Sequence, residues 1–432
     1  MVLFWFRRDL RLHDNSALSH ALASGQPVLP LFIFDSDILT KLSDPHDARI
    51  TFIHQTLTSL HQQLEQRGST LLVRHGRPLE VMAQLLQEYP LQEVYTNRDY
   101  EPYARLRDSE VTKQLLGKGI AFRGYKDQVI FEQDEILTKG GTPYKVYTPY
   151  KNAWKSAFTE SMATPYPSEE QLHGLQPHPA TTLPTLADIG FAAAEIPTPS
   201  PSLSETVLRQ YDKTRNLPAL DATSRLSPHL RFGTVSVRQA VQLALQHNDT
   251  WLQELIWREF FMQLLFHFPE SAEESFAQKF RHIDWRSNEK EFQLWCDGKT
   301  GFPLVDAGMR ELNATGFMHN RVRMVVASFL VKDLLIDWRW GEAYFAGKLL
   351  DYEQASNVGN WQWAAGTGAD AQPYFRIFNP DSQVKKFDKD HRYIKRWVPE
   401  FGTSAYPAPM VDHAEARDRA LAAYKKSIAY TL

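Results

Sequence analysis

Val2-Leu3-Phe4-Trp5-Phe6 and Val28-Leu29-Pro30-Leu31-Phe32-Ile33-Phe34 are two short, unbroken apolar runs. Neither alternates, as a strand with one wet face would. Both therefore read as strands buried on two faces, the habit of a parallel sheet covered by helices. The segment between them ends at Ala23-Ser24-Gly25 and serves as the crossover. Downstream, Ile50, Ile53, Leu57, Leu60 and Leu64 recur at threes and fours, one apolar stripe of a helix that stops near Gly68. A strand over 70–73, a helix over 79–87, a strand over 93–96 and a helix over 103–116 continue the alternation. Strands alternating with helices across short loops predict a doubly wound parallel sheet. No G-x-G-x-x-G follows the first strand, so a dinucleotide site of the Rossmann type is not expected.

Residues 165–201 hold eight Pro among many Ser, Thr and Ala, which predicts a connector that wraps rather than folds. Beyond about 203 the pattern is helical, with helical spacing over 251–268, 303–315, 319–336, 339–350 and 414–430. The last segment runs nearly to Leu432, leaving no appended tail. At 432 residues and 43% apolar content the chain has material for two domains or three. The net charge of −3 excludes a global basic signature, so any nucleic-acid binding must come from a local patch. Residues 376–396 supply one, with seven Lys or Arg against three Asp. A lone Cys296 excludes a disulfide framework and suits a reducing compartment. The start does not read as a signal peptide, and no apolar run reaches membrane length, so a cytoplasmic protein is expected. No metal site is expected: the fifteen His are scattered. Gly298-Lys299-Thr300 mimics the tail of a P-loop, but Gln293 stands where the first Gly would be.

Tryptophan is the anomaly. Of eleven, nine follow residue 250: Trp251, Trp257, Trp285, Trp295, Trp338, Trp340, Trp361, Trp363 and Trp397. Indole is easily oxidised and stacks on flat ligands, both uses of a flavin or nucleic-acid enzyme. Thr223-Ser224-Arg225-Leu226-Ser227 offers hydroxyls, a guanidinium and backbone N–H groups where a loop enters a helix, which suits an anion. Taken alone it reads first as a helix cap with a surface Arg. Asn357, before Val358-Gly359, taken alone is a turn residue. Glu254 and Trp257 share a helix face, and Trp257 taken alone is core.

Several segments together resemble the photolyase/cryptochrome family: residues 4–15, Tyr144-Lys145-Val146-Tyr147-Thr148-Pro149-Tyr150-Lys151, Thr223–Ser227, residues 254–260, Met318-His319-Asn320-Arg321-Val322-Arg323-Met324, and residues 351–380. The resemblance covers the whole chain in order, and is nearest to bacterial class I photolyases of cyclobutane pyrimidine dimers. It implies an α/β N-terminal antenna domain on a doubly wound parallel five-stranded sheet (1–130), a long wrapping linker (131–202) and an all-α C-terminal FAD-binding domain (203–432).

The same resemblance assigns roles. Tyr211, Thr223, Ser224, Arg225, Leu226 and Ser227 would clamp the FAD phosphates, and Trp251, Glu254, Arg258 and Glu353 would neighbour the cofactor. Asp351, backed by Arg323, would hold the flavin pyrimidine edge, with Asn357 beside N5. Photolyases carry Asn there, whereas plant cryptochromes carry Asp and insect ones Cys. Glu254 would bond the pyrimidine carbonyl. Trp257 and Trp363 would wall the flipped-out dimer, which Asn320, Arg321 and Met324 line, while Arg215 and Arg376 reach the strand. Trp361, Trp338 and Trp285 match an electron relay. A 6-4 photoproduct enzyme resembles a His-His pair where this chain has His319-Asn320, and a Met at Gln362. Asn97-Arg98-Asp99 departs from the folate pattern; Asp99, Phe34, Asp35 and Arg49 resemble the branch with a deazaflavin or flavin antenna. The expected partner is damaged DNA, met by a monomer.

Overall fold

The computed structural model describes residues 1–430; the expected run of the last helix to Leu432 ends outside them. Five strands form one parallel sheet in the order β3-β2-β1-β4-β5: β1 (Val2–Phe6), β2 (Val28–Asp35), β3 (Leu72–Gly76), β4 (Glu93–Asn97) and β5 (Ala121–Tyr125). Every residue of β1 and β2 is buried, as their unbroken apolar runs required. Helices α1 (Ser16–Ala23), α2 (Ala48–Glu65), α3 (Pro78–Glu88) and α4 (Pro102–Leu116) make the crossovers. Asn15 caps α1 by accepting from Leu18 N, and Asp47 caps α2 by accepting from Arg49 N. Two strands differ from the reading above. β3 runs Leu72–Gly76 instead of 70–73; Arg74 and His75 hide its second half from an apolar search. β5 had no assigned position, since Ala121-Phe122-Arg123-Gly124-Tyr125 is a half-exposed edge carrying a charge and a glycine.

The chain parts into two compact units, each assembled from non-contiguous segments: 1–137 with 152–203 and 225–259, and 138–151 with 204–224 and 260–432. In the first, the proline-rich connector is laid along the sheet domain by backbone bonds. Gln176 N donates to Val28 O at 2.7 Å, His178 N to Gly68 O at 3.1 Å and Ala192 N to Pro45 O at 2.8 Å. Its own structure is limited to short 3-10 turns. The Arg-rich N-terminal motif serves the interior of this unit. Arg11 and Arg238 both pair with buried Asp127 at 2.7 Å, and Arg238 also reaches Asp14 at 2.7 Å.

The second unit is helical. Its core gathers α6 (Pro303–Thr315), α7 (Asn320–Ser328), α8 (Trp338–Lys348) and α9 (Gln354–Ala365), following α5 (Asp249–His267), which begins in the first unit. The expected single helix over 319–336 is interrupted. After α7 comes a π-helical turn, Phe329–Asp333, and Leu335 takes a φ of +51°. The turn carries a fully buried Lys332, whose Nζ donates to Ala365 O at 2.7 Å and Tyr374 O at 3.2 Å. Burial pushes its pKa well below the ordinary value. Two short helices, α10 (Pro380–Phe387) and α11 (Arg392–Trp397), precede the last one, α12 (His413–Ala429).

Candidate active site

A cleft of about 600 Å³, solvent at its mouth included, opens among α7, α8 and α9. Eight of the residues singled out above line it: Asn320, Arg323, Met324, Asp351, Glu353, Asn357, Trp361 and Trp363. Asp351 lies in the turn between α8 and α9. Arg323 on α7 meets it with Nη2 at 2.9 and 3.2 Å from its two oxygens, while Nε donates to Met318 O at 2.7 Å. The guanidinium is thereby fixed in two directions, and the Asp351 side chain, 6% exposed, is held against one wall.

Asn357 is helical, not in a turn. Gly359, two residues on, explains the choice of glycine there: a Cβ would lie 2.2 Å from Cδ1 of Phe261. The Asn357 amide Nδ2 donates to the backbone oxygen of Glu342 at 3.1 Å and to its Oε1 at 2.9 Å. Both partners are acceptors, so the contacting atom must be the nitrogen and the carbonyl oxygen is what Asn357 presents to the cleft. Glu342, which holds this amide, is a residue that the sequence reading missed. Burial raises its pKa, countered by the bond from Asn357. No motif marks it; only the packing of α8 on α9 brings it to Asn357.

Trp361 is 2% exposed and packs on Phe345 at 5.0 Å and Trp295 at 6.1 Å between ring centroids. Its ring lies on the backbone of Gly341, where a Cβ would come within 2.1 Å of it. Trp338 sits one helical turn before Gly341 and is 1% exposed. Trp285 is half-buried and stands edge-on to Tyr424 at 6.0 Å. All three indoles belong to one apolar cluster, with the two buried ones inside and Trp285 at its margin. Gln362, between the paired indoles, is turned away: it donates to Ser271 O at 2.7 Å and Glu274 O at 3.0 Å and accepts from Phe276 N at 2.9 Å.

Other expected residues are not among those that line this cleft. Arg321 donates to Asn216 Oδ1 at 2.7 Å and covers Phe387 at 4.4 Å. Burial and the nearby Arg215 lower its pKa, and Arg215 in turn lies over Tyr211 at 5.2 Å. Arg376, Lys385, Lys386, Lys389, Arg392, Lys395 and Arg396 are all exposed, whereas Asp388 is buried and caps α11.

In the first unit, Glu254, Trp257 and Arg258 are half-buried on α5 and Trp251 is buried. Arg258 donates to Gln128 O at 2.7 Å and Leu230 O at 3.2 Å, so its guanidinium anchors backbone. Residues 223–226 form an irregular loop into the helix Ser227–Phe232, with Arg225 exposed at a φ of +50°. Glu259, next to Arg258 in sequence, is buried and accepts from Ile130 N, Phe131 N and Trp154 Nε1; burial raises its pKa to about 7.

The four antenna residues have internal partners. Asp99 pairs with Arg8 at 3.0 Å, Asp35 accepts from Tyr103 Oη at 2.8 Å with Arg107 at 3.6 Å, Arg49 pairs with Asp47, and Phe34 is 2% exposed. Among the described residues no group of His, Cys, Asp or Glu could hold a metal ion, and no helix is long and apolar enough to cross a membrane.

A family model for the FAD binding domain of DNA photolyase matches residues 251–404, and one for DNA photolyase matches residues 2–169. A deoxyribodipyrimidine photo-lyase from Synechococcus is 40% identical over an alignment of 459 positions that covers 95% of this chain and 94% of that protein. A solved bacterial class III photolyase from Agrobacterium tumefaciens has a TM-score of 0.85 at 36% identity, covering 99% of this chain and 97% of that one. An archaeal photolyase from Sulfolobus tokodaii, solved with two FAD molecules, has a TM-score of 0.82 at 32% identity over 98% of this chain and 99% of that one. The chain belongs to the DNA photolyase family and carries its FAD-binding domain. The cleft suits that cofactor: an Arg-backed carboxylate can take the N–H edge of a flavin, and an amide oxygen and indoles stand ready for its ring.

Proposed function

We propose that the chain is a light-driven DNA-repair lyase that holds FAD in the α7–α8–α9 cleft and splits cyclobutane pyrimidine dimers flipped out of damaged DNA. The observation that carries this is the single cleft joining the Arg323–Asp351 pair, the oriented amide of Asn357 and the indoles Trp361 and Trp363. The flavin, when bound, reduced and illuminated, supplies the electron that opens the dimer and recovers it afterwards. The residues bind, orient and hold charge. Asp351 accepts from the flavin ring edge. Asn357 offers an oxygen and has no acidic proton, so it leaves N5 unprotonated. Tyr211 and Thr223–Ser227 take the phosphates, with Trp251, Arg258 and Glu353 as supports.

Glu254 bonds the dimer carbonyl on which negative charge develops, an interaction worth ~3 kcal/mol of barrier in comparable sites. Trp257 and Trp363 wall the dimer, each stacking contact contributing about 1–3 kcal/mol. Asn320, Arg321 and Met324 line its pocket, and Arg215 and Arg376 meet the strand. Trp361, Trp338 and Trp285 carry electrons inward to a flavin that has become oxidised. A flavin-type second chromophore is the expectation for the first unit, by the likeness to the archaeal relative solved with two FAD molecules. A monomer in the cytoplasm fits the lone, buried Cys296.

The test is loss of dimers from ultraviolet-irradiated oligo(dT), with the flavin reduced beforehand, in light and in darkness. Loss confined to the light supports the proposal. An intact substrate after illumination with bound, reduced flavin refutes it.

A further inference from the structure

Lys332 is fully buried, and no role in the proposed site uses it. Its Nζ donates to Ala365 O at 2.7 Å and to Tyr374 O at 3.2 Å, and lies 3.7 Å from the centre of the Tyr424 ring. Two carbonyls and a ring face together meet the three N–H bonds of an ammonium. A neutral amine would turn its lone pair on one of these acceptors. No charged group among the described residues acts on it, and burial alone pushes its pKa down. Asp333, next in the chain, is paired with His413 instead. A buried cation without a counter-ion is costly, and the cost falls when an anion stands near.

The nearest negative group is the end of α9. Ala365 is its last residue, and Ala365 O also accepts from Tyr424 Oη at 2.6 Å. A helix C-terminus carries about half a negative charge, which leaves part of the ammonium charge unmatched. That remainder reaches the cleft. Ala364, one residue before Ala365, and Ala327, five before Lys332, both line it. With Leu330, Val331 and Ala365 they belong to one buried apolar cluster, a medium that screens charge weakly. The lining of the cleft does not itself favour an anion. Among the described residues that line it Arg323 is the one cation, against the carboxylates of Asp351 and Glu353.

We propose that Lys332 sets the redox balance of the flavin: its buried charge behind the end of α9 favours the reduced cofactor over the oxidised one. The inference rests on the flavin proposed for the cleft. The oxidised ring is neutral, and after taking up two electrons and one proton from an external reductant it carries one net negative charge. Lys332 touches neither cofactor nor substrate and exchanges nothing in that step; it acts through its field. A unit charge acting through apolar protein at an effective permittivity of about 20 shifts such a preference on the order of tenfold.

The test is the midpoint potential of the bound FAD, followed by absorbance during a dye-coupled reductive titration of the FAD-loaded protein. Lys332→Met removes the charge and keeps an unbranched chain, a replacement that buried ionic groups often tolerate. The midpoint should move to a more negative potential, the affinity for reduced relative to oxidised FAD falling about tenfold. Lys332→Gln, which still donates but carries no charge, should shift it in the same way. Tyr424→Phe, which removes a hydrogen bond at the same carbonyl and no charge, should keep the midpoint of the unsubstituted protein. The shifts should persist at high salt, which screens a buried charge far less than a surface one. An unshifted midpoint in the Met and Gln proteins overturns the inference and leaves the flavin reading intact. So does a shift in the Tyr424→Phe protein as large as that in the Met protein, which would assign the effect to packing. A chain that binds no FAD overturns the reading on which the inference rests.

Discussion

At the scale of single residues, the account turns on one amide. Asn357, two residues before Gly359, is locally a turn signal, and its functional meaning came only from the resemblance to a family. The structure adds why the amide points as it does: Glu342 takes both of its N–H bonds. Glu342 is therefore a positioning residue. Glu342→Leu removes the carboxylate acceptor while leaving the backbone one, and an underpaired buried amide costs about 1–3 kcal/mol. The expected outcome is a lower urea midpoint, an altered absorption band of the bound flavin and slower repair, with all three restored by Glu342→Gln, whose side-chain oxygen can still accept. An unaltered flavin band in the Leu protein would show that Asn357 is held by other means. Nothing in the sequence marks Glu342, because the contact joins separate helices with no fixed spacing. The Asp351–Arg323 pair, by contrast, was legible from the residue types and the resemblance, and the two side chains meet at 2.9 Å.

At the scale of elements, packing decides what the periodicity left open. The unbroken apolar runs of β1 and β2 fixed a parallel sheet, whereas β5 was illegible because an edge strand with Arg123 and Gly124 has no apolar signature. The helical period continues through Val325, Val326, Phe329 and Leu330, so nothing announced the π turn that places Lys332 in the core. Glycines carry similar hidden information. Ala at Gly341 gains up to about 1 kcal/mol of helix propensity. Its Cβ, however, would meet the Trp361 ring at 2.1 Å, and overpacking a core costs about 1–3 kcal/mol. Gly341→Ala should therefore lower the melting temperature and slow flavin photoreduction together, the second effect arising from a displaced Trp361. Photoreduction at the unsubstituted rate would separate the helix contact from the relay.

The last helix is secured by a titratable contact. His413 Nδ1 lies 2.5 Å from Asp333 Oδ1, and Arg419 donates to Asp333 O at 2.5 Å. The bond to Asp333 raises the His413 pKa above its ordinary 6.5, with Asp381 acting in the same direction and burial and Arg417 opposing. A base with a raised folded pKa contributes stability that is complete below the unfolded value and lost as pH climbs through the folded one. Stability should thus decline with pH from about 6.5 upward. His413→Gln should flatten that slope in urea titrations. An equal slope in both proteins would assign it to another group.

At the scale of the whole molecule, a net charge of −3 is reconciled with a DNA substrate by segregation. Seven Lys and Arg between 376 and 396 are exposed, and one of the three Asp in that stretch is buried as a helix cap. Binding to damaged duplex should weaken with salt with a log–log slope of only a few units, each phosphate contact contributing about −0.9. A slope near zero would remove the basic patch over residues 376–396 from the account.

The central claim is that light absorbed by reduced flavin in the cleft opens the dimer. Its most direct test is the wavelength dependence of dimer loss from irradiated oligo(dT) by protein whose FAD has been reduced chemically. The account predicts no loss in darkness and, in light, an efficiency that follows the absorption of the reduced flavin, with any second chromophore adding its own band. Loss in darkness, or an efficiency that follows oxidised flavin instead, would contradict it.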